Sequence, residues 1–314
     1  MPKKVAIIDL GTNTCNLLIG EVEQEKITEI YKDRSPVKLG CNEGIKNKII
    51  CPEAIIRTVT AIKKYKEAIL TRKVPHENIK IIATAAVRNA QNREVLTEKI
   101  KLETGLTVTI IDGETEAELI YYGAKATGVL NDEPVLIMDI GGGSTEFIIC
   151  NRKQIFWKKS YPLGVAALLQ EIGPSDPMKC NDLKKTIGFL HNRLESLYRA
   201  VKTYHPEHLI GTSGAFKTLT NLILYHLHQM PHPSQSLFYR VSKSDFNTIY
   251  RQLMLLPLKK RLQMQGMEPY RAEYMPMSIL FINFVMKNYH LHNLIRTAYG
   301  IKEGATIKYF AHEK

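Results

Sequence analysis

A template that occurs twice constrains this chain more than any other feature. Residues 7–11 read "IIDLG" and residues 137–141 read "IMDIG", a shift of 130 positions. Thr14 then falls on Ser144, and Leu17, Leu18 and Ile19 fall on Phe147, Ile148 and Ile149. Each copy is an apolar run closed by an Asp, a glycine-bearing turn with a hydroxyl, and a second apolar run. That order reads as strand, turn, strand. Two copies a domain length apart imply a duplicated fold, each half presenting an aspartate and a phosphate-sized loop.

Between and after the copies, strands alternate with helices. "VAIIDL", "NLLIGEVE", "IKIIATAA", "TVTIID", "PVLIMDI", "EFIIC", "QIFWKKSYP" and "HLIGTSG" read as strands. Residues 52–70 open with Pro and repeat apolar residues at three and four, the signature of a helix. "GETEAELIYYGA" starts another, further helices are expected around 164–172 and 178–203, and the region from 240 onward is mostly helical in pattern. The expectation is an α/β protein of two domains, 1–125 and 126–303, with a final helix at about 304–314 packed back on the first.

The turns carry the chemistry. A tight glycine turn after a strand exposes consecutive backbone amides and lacks the Cβ atoms that would hold an anion away. Gly11, Thr12 and Asn13 in the first copy, and Gly141, Gly142, Gly143, Ser144 and Thr145 in the second, are the candidate phosphate-binding residues. Asp9 and Asp139, at strand ends, are oxygen ligands for a divalent cation such as Mg2+, and Glu146 completes an oxygen-rich site around Asp139. "GTSGA" reads as a third amide-rich turn before a helix. It offers Gly211, Ser213 and Gly214, with Lys217 placed to face an anion. The competing reading of each Asp-x-Gly turn is a plain β-hairpin whose glycines meet turn geometry. The P-loop pattern is absent, and so is the G-x-G-x-x-G dinucleotide fingerprint.

Lys and Arg total 43 against 31 acids, a formal net charge of +12. The excess favours an anionic partner. It is spread along helix-like stretches rather than gathered in a tail, so no nucleic-acid partner is expected. No apolar run approaches the ~20 residues that span a bilayer, and the five cysteines are scattered without a C-x-x-C pair. A cytoplasmic protein without a membrane partner is expected. The histidines of "YHLHQMPH" (His226, His228, His232), with His290 and His292, match no familiar metal spacing and read as structural. The Met-rich stretch near 264–281 reads as core.

"DLGTNT", "TAAVRNA", "GETEAELIYYG", "DIGGGSTE", "GTSGAFKT" and "YRAEYMP…AYGIKEG" occur in that order. Together they resemble the exopolyphosphatase / guanosine pentaphosphate phosphohydrolase family, of the acetate and sugar kinase, Hsp70 and actin superfamily. The resemblance runs over essentially the whole chain. It implies two RNase H-like domains around a cleft and Mg2+-dependent removal of a terminal phosphate from inorganic polyphosphate or guanosine pentaphosphate. It also implies a catalytic Glu in a G-x-E-E-A segment. Here that segment is residues 113–117, so Glu116 takes the role, with Thr115 in place of the first acid and Glu114 and Glu118 as neighbours. Glu273 stands where an Asp is usual and Lys302 where an Arg is common, departures that bear on substrate preference. The chain's length matches the short, two-domain members.

On this reading Glu116 orients or deprotonates the attacking water. Arg88 contacts the scissile phosphate with its forked donors. Asp139, Glu146 and Asp9 hold the cation. Two other functions remain open at this stage: a small-molecule kinase of the same superfamily, and a non-catalytic polyphosphate or alarmone sensor. The choice between the two substrates and the oligomeric state, homodimer included, also stay open.

Overall fold

The computed structural model describes residues 2–39, 48–230 and 236–311. The chain divides into two compact units. The first takes in Met1–Ala126, Gly141–Ser144 and Tyr299–Lys314, and the second Thr127–Ile140 and Thr145–Ala298.

In the first unit β1 (Lys3–Leu10), β2 (Thr14–Glu23) and β3 (Lys26–Pro36) form an antiparallel meander. On the other side of β1, β4 (Ile79–Ala83) and β5 (Val108–Ile110) add in parallel, giving the order β3-β2-β1-β4-β5. Parallel neighbours need crossovers. The helix α1 (Pro52–Thr71) leads into β4, and the short α2 (Ala85–Arg88) with α3 (Arg93–Thr104) joins β4 to β5. Side chains of β1 alternate between two cores. Ala6, Ile8 and Leu10 pack with Ile62 of α1 and Ile100 of α3. Val5 and Ile7 pack the other way, with Leu119 of α4 (Gly113–Ala126) and Ile307 of the helix Ile301–Phe310. The same alternation assigns Asp9 to the face of Val5 and Ile7.

The second unit repeats this plan. β6 (Val135–Ile140), β7 (Thr145–Cys150) and β8 (Ile155–Tyr161) form the meander. β9 (His208–Thr212) and β11 (Asn293–Thr297) form the parallel pair, and β10 (Phe238–Val241) adds antiparallel beyond β11. The order is β10-β11-β9-β6-β7-β8. Without β10, the two sheets share one order and one set of directions, as a duplicated RNase H-like α/β fold requires. Leu136, Met138, Phe147 and Ile149 are buried with residues of α5 (Val165–Ile172), α6 (Cys180–Arg193), α7 (Glu195–Tyr204) and α8 (Ser213–Asn221), and with Met264, Met267, Met275 and Met277.

Among the elements that differ from the sequence expectation, three have a plain physical reason. β3 has no apolar run, because an edge strand buries little and its residues alternate between half-buried and exposed. The helix expected over 178–203 is two helices that meet at Leu194, whose side chain is buried while its backbone leaves helical geometry. The region beyond 240 also contains β11, a strand of five residues specified by its parallel pairing with β9. Among the described residues, no helix is long and apolar enough to cross a membrane.

Glycines set the approach of α4 to the helix Ile301–Phe310. A Cβ on Gly304 would stand 1.7 Å from the carbonyl oxygen of Leu119, so even alanine forces the helices apart. Gly304→Ala is predicted to cost at least ~2 kcal/mol by overpacking, read as a lowered Tm. An unchanged Tm would show that this contact is not tight.

Candidate phosphate-binding and catalytic site

The two template turns close alike. The Gly11 N–H donates to the Thr14 carbonyl at 3.0 Å, and the Gly141 N–H to the Ser144 carbonyl at 2.9 Å. Asp9 lies opposite Asn16 across β1–β2, and Asp139 lies opposite Glu146 across β6–β7. The repeat thus keeps the cross-strand position and changes its chemistry from amide to carboxylate. The Asn16 Nδ2 donates to Asp9 Oδ2 at 3.2 Å. Within the first unit the turn Gly141–Ser144 rests on residues 12 and 13. A Cβ on Gly142 would lie 2.8 Å from Thr12 Cβ and 3.1 Å from Asn13 Nδ2. One on Gly143 would lie 3.4 Å from Ala85 Cβ, at the start of α2. The two glycine turns and the N-terminal end of α2 therefore converge. Thr145 stands apart from this group: it is fully buried and its hydroxyl donates to the Leu163 carbonyl at 2.8 Å. Period two puts it on the core face with Phe147, away from the turn's donors.

Glu116 sits in the first turn of α4, where acids are favoured by the helix dipole. Asp112 Oδ1 accepts from the Thr115 N–H at 2.7 Å and fixes that turn. Glu116 is 4% exposed. The Arg88 Nη1, at the end of α2, donates to Glu116 Oε2 at 3.0 Å and to the Ile111 carbonyl at 2.8 Å. Arg88 is therefore tied to the candidate base, while among the described residues its Nε and Nη2 have no protein partner. That leaves two donors of the guanidinium fork for an anion.

Two more carboxylates lie in the first unit. Burial pushes the Asp9 carboxyl above its ordinary range, against the pull of Lys302 and the Asn16 hydrogen bond. Glu303 shows the opposite balance. Burial alone would raise its carboxyl, but Lys302, Lys32 and the Gly300 N–H together hold it below its ordinary 4.5. Lys32 Nζ is 3.4 Å and Lys302 Nζ 3.9 Å from Glu303 Oε1, and the Gly300 N–H reaches Oε2 at 2.9 Å.

The second unit holds the other candidates. Asp139 and Glu146 are 3% and 1% exposed. The Ser213 hydroxyl donates to Asp139 Oδ2 at 2.7 Å, and the Ser160 hydroxyl to Glu146 Oε1 at 2.7 Å. Ser213 joins β9 to α8 in the left-handed region, φ 64°, a strained conformation for a residue with a Cβ and one found often at functional turns. Lys217 Nζ lies 3.5 Å from Glu268 Oε1, so this lysine is partly engaged by an acid. Arg271, which sequence reasoning did not single out, covers the same turn: a Cβ on Gly214 would meet its guanidinium at 1.7 Å. Its Nε donates to Glu268 Oε2 at 2.7 Å, and the Tyr270 hydroxyl reaches the same oxygen at 2.9 Å. Two cations then share one carboxylate beside the third turn. The only available signal was the "YRAEY" segment, 57 residues beyond Gly214.

Among the described residues no group of three or more His, Cys, Asp or Glu side chains is placed to hold a metal. The paired Asp139 and Glu146 still suit a hard cation. They are oxygen donors, adjacent across two strands, and Mg2+ takes few protein ligands beside water and phosphate oxygens. His228 pairs with Asp245 at 3.1 Å, and His232 lies outside the described residues.

Several known proteins resemble this chain over most of its length. An exopolyphosphatase from Cytophaga hutchinsonii of known crystal structure is 33% identical, with a TM-score of 0.92 over 98% of each chain. Exopolyphosphatase 2 of Mycobacterium tuberculosis is 28% identical over 86% of both chains. A guanosine-5'-triphosphate,3'-diphosphate pyrophosphatase of Photobacterium profundum is 25% identical over 95% of this chain but 58% of its own length. A bifunctional 3-dehydroquinate synthase/phosphatase of Fusobacterium nucleatum is 39% identical over 53% of this chain and 26% of its own. The fold is that of a two-domain protein built on two actin-like mixed sheets. The model of the Ppx/GppA phosphatase family matches residues 18–312, and the chain belongs to that family.

The Glu303 cluster yields a pH test. Its folded-state pKa is depressed, so its stabilising contribution is present above 4.5 and is lost as pH falls through the lower folded value. Glu303→Gln is predicted to cost about 1.5 kcal/mol at pH 7, since Lys302 and the Gly300 N–H lose a charged acceptor while Lys32 keeps Glu29. In urea unfolding that cost should shrink steadily below pH 4.5. A cost that is the same at both ends would contradict the assignment.

Proposed function

We propose that this family member is an exopolyphosphatase that removes the terminal phosphate of inorganic polyphosphate. The observation that carries the reading is the buried Glu116 carboxylate, held by Arg88 Nη1, in the unit that also holds both glycine turns; among the described residues Arg88 Nε and Nη2 have no partner. Polyphosphate is preferred over guanosine pentaphosphate because the relatives matched over most of their own length are named exopolyphosphatases.

The reaction is a displacement at phosphorus. A water oxygen attacks the terminal phosphorus in line with the bridging oxygen, the anhydride bond breaks, and a chain one phosphate shorter leaves. Glu116 orients that water and accepts its proton. Arg88 donates to non-bridging oxygens through Nε and Nη2, and amides of residues 11–13 and 141–144 grip others, so positioning and charge stabilisation do most of the work. Asp139 and Glu146 would hold Mg2+, which would supply positive charge to phosphate oxygens. The leaving polyphosphate is a stable anion and needs no general acid.

The purified chain is predicted to release orthophosphate from long-chain polyphosphate with Mg2+ and to lose that activity in EDTA. Glu116→Gln should cut the rate at least ~100-fold while polyphosphate still binds, which a sensor's affinity and output would not register. Guanosine pentaphosphate assayed alongside should react more slowly. No release from either substrate contradicts the reading, and a preference for the nucleotide reverses its specificity.

A further inference from the structure

Beside the edge strand β8 lies a cavity of about 350 Å3 that the phosphate chemistry does not use. Its volume falls in the range of small-molecule pockets. Tyr161 of β8 and Phe189 of α6 contribute aromatic lining, Lys159 and Arg193 stand on it as cations, and Glu171 of α5 adds one carboxylate. Lys159 Nζ is 3.0 Å from the Ser196 hydroxyl and 5.1 Å from the Tyr161 ring centroid. The Arg193 guanidinium lies 5.1 Å from the Phe189 centroid. Both cations are thus set in place by aromatic faces, which orient charge without neutralising it. Among the described residues, neither Lys159 nor Arg193 forms an ion pair with a carboxylate. Elsewhere on this chain cations are commonly matched, as Arg152 is by Asp132 at 2.7 Å and Lys64 by Asp33 at 2.7 Å.

This lining selects its occupant. A bare inorganic anion would satisfy the cations and leave the half-buried Phe189 ring in water. A neutral aromatic would do the reverse. We infer that the cavity is a second binding site, for a small organic anion with a planar body: the charged group on Lys159 and Arg193, the ring against the half-buried Phe189, and a hydrogen-bond donor towards Glu171. A nucleoside monophosphate carries all three parts. The site is also one hydrogen bond from the phosphate machinery, because Ser160, which lines the cavity, donates to Glu146.

Calorimetric titration of the full chain with AMP tests this, with adenosine and orthophosphate as the partial ligands. AMP should bind wild-type protein and the Glu116→Gln variant equally. It should bind Lys159→Glu and Arg193→Glu at least ~10-fold more weakly, since each loses a charge-assisted contact and gains a repulsion. Both positions are exposed, and circular dichroism confirms that each variant is folded. Adenosine and orthophosphate should each bind at least ~10-fold more weakly than AMP. Absence of AMP binding, AMP affinity unchanged in both variants, or orthophosphate binding as well as AMP overturns the inference. Because binding is measured without turnover, this result is separate from that of the polyphosphate assay.

Discussion

The ion pair between Arg88 and Glu116 is the interaction on which the candidate site depends. A carboxylate as buried as Glu116 is costly without a matched donor. Arg88 supplies one and is itself fixed by the Ile111 carbonyl. That arrangement follows from the fold. The helix carrying Arg88 is four residues long and begins two residues after β4 ends, so its place is set by the parallel addition of β4 to β1. Ile111 follows β5, and the helix carrying Glu116 starts two residues later. Sheet topology thus brings base and arginine together from segments 28 residues apart.

Duplication accounts for the division of roles between the halves. Both template copies keep the aspartate, the glycine and the same turn hydrogen bond. They differ at the position opposite the aspartate, where Asn16 donates a hydrogen bond to the first and Glu146 sets a second carboxyl group opposite the other. A buried pair of adjacent carboxylates favours a bound cation. An aspartate bonded to an amide has no such need, and burial raises the Asp9 carboxyl. On the proposed reading the second copy is the main cation holder and the first chiefly shapes the phosphate turn.

Much of this was legible in the sequence, and the exceptions have physical causes. The strands of both template copies, their aspartates and their turns follow from period-two burial and from the glycines that close each apolar run, where a Cβ at Gly141 or Gly142 would have no room. Glu116 was reached through the family resemblance, since an acid in a first helical turn is otherwise unremarkable. Arg88's bond to Glu116 was not legible, because it joins two helices through a parallel sheet. Arg271 was missed for the same reason: it reaches Gly214 only once the chain has folded back on itself. The place of the Thr145 hydroxyl was legible as well. This residue shares strand parity with Phe147 and Ile149, so its hydroxyl belongs to the core face.

The central claim is that a water held by Glu116 attacks the terminal phosphorus. Polyphosphate turnover in 18O-labelled water, followed by mass spectrometry of the products, tests it most directly. The account predicts one solvent oxygen in each orthophosphate released and none in the shortened chain after a single turnover. Orthophosphate lacking the label, or phosphate recovered on an organic acceptor, would contradict it.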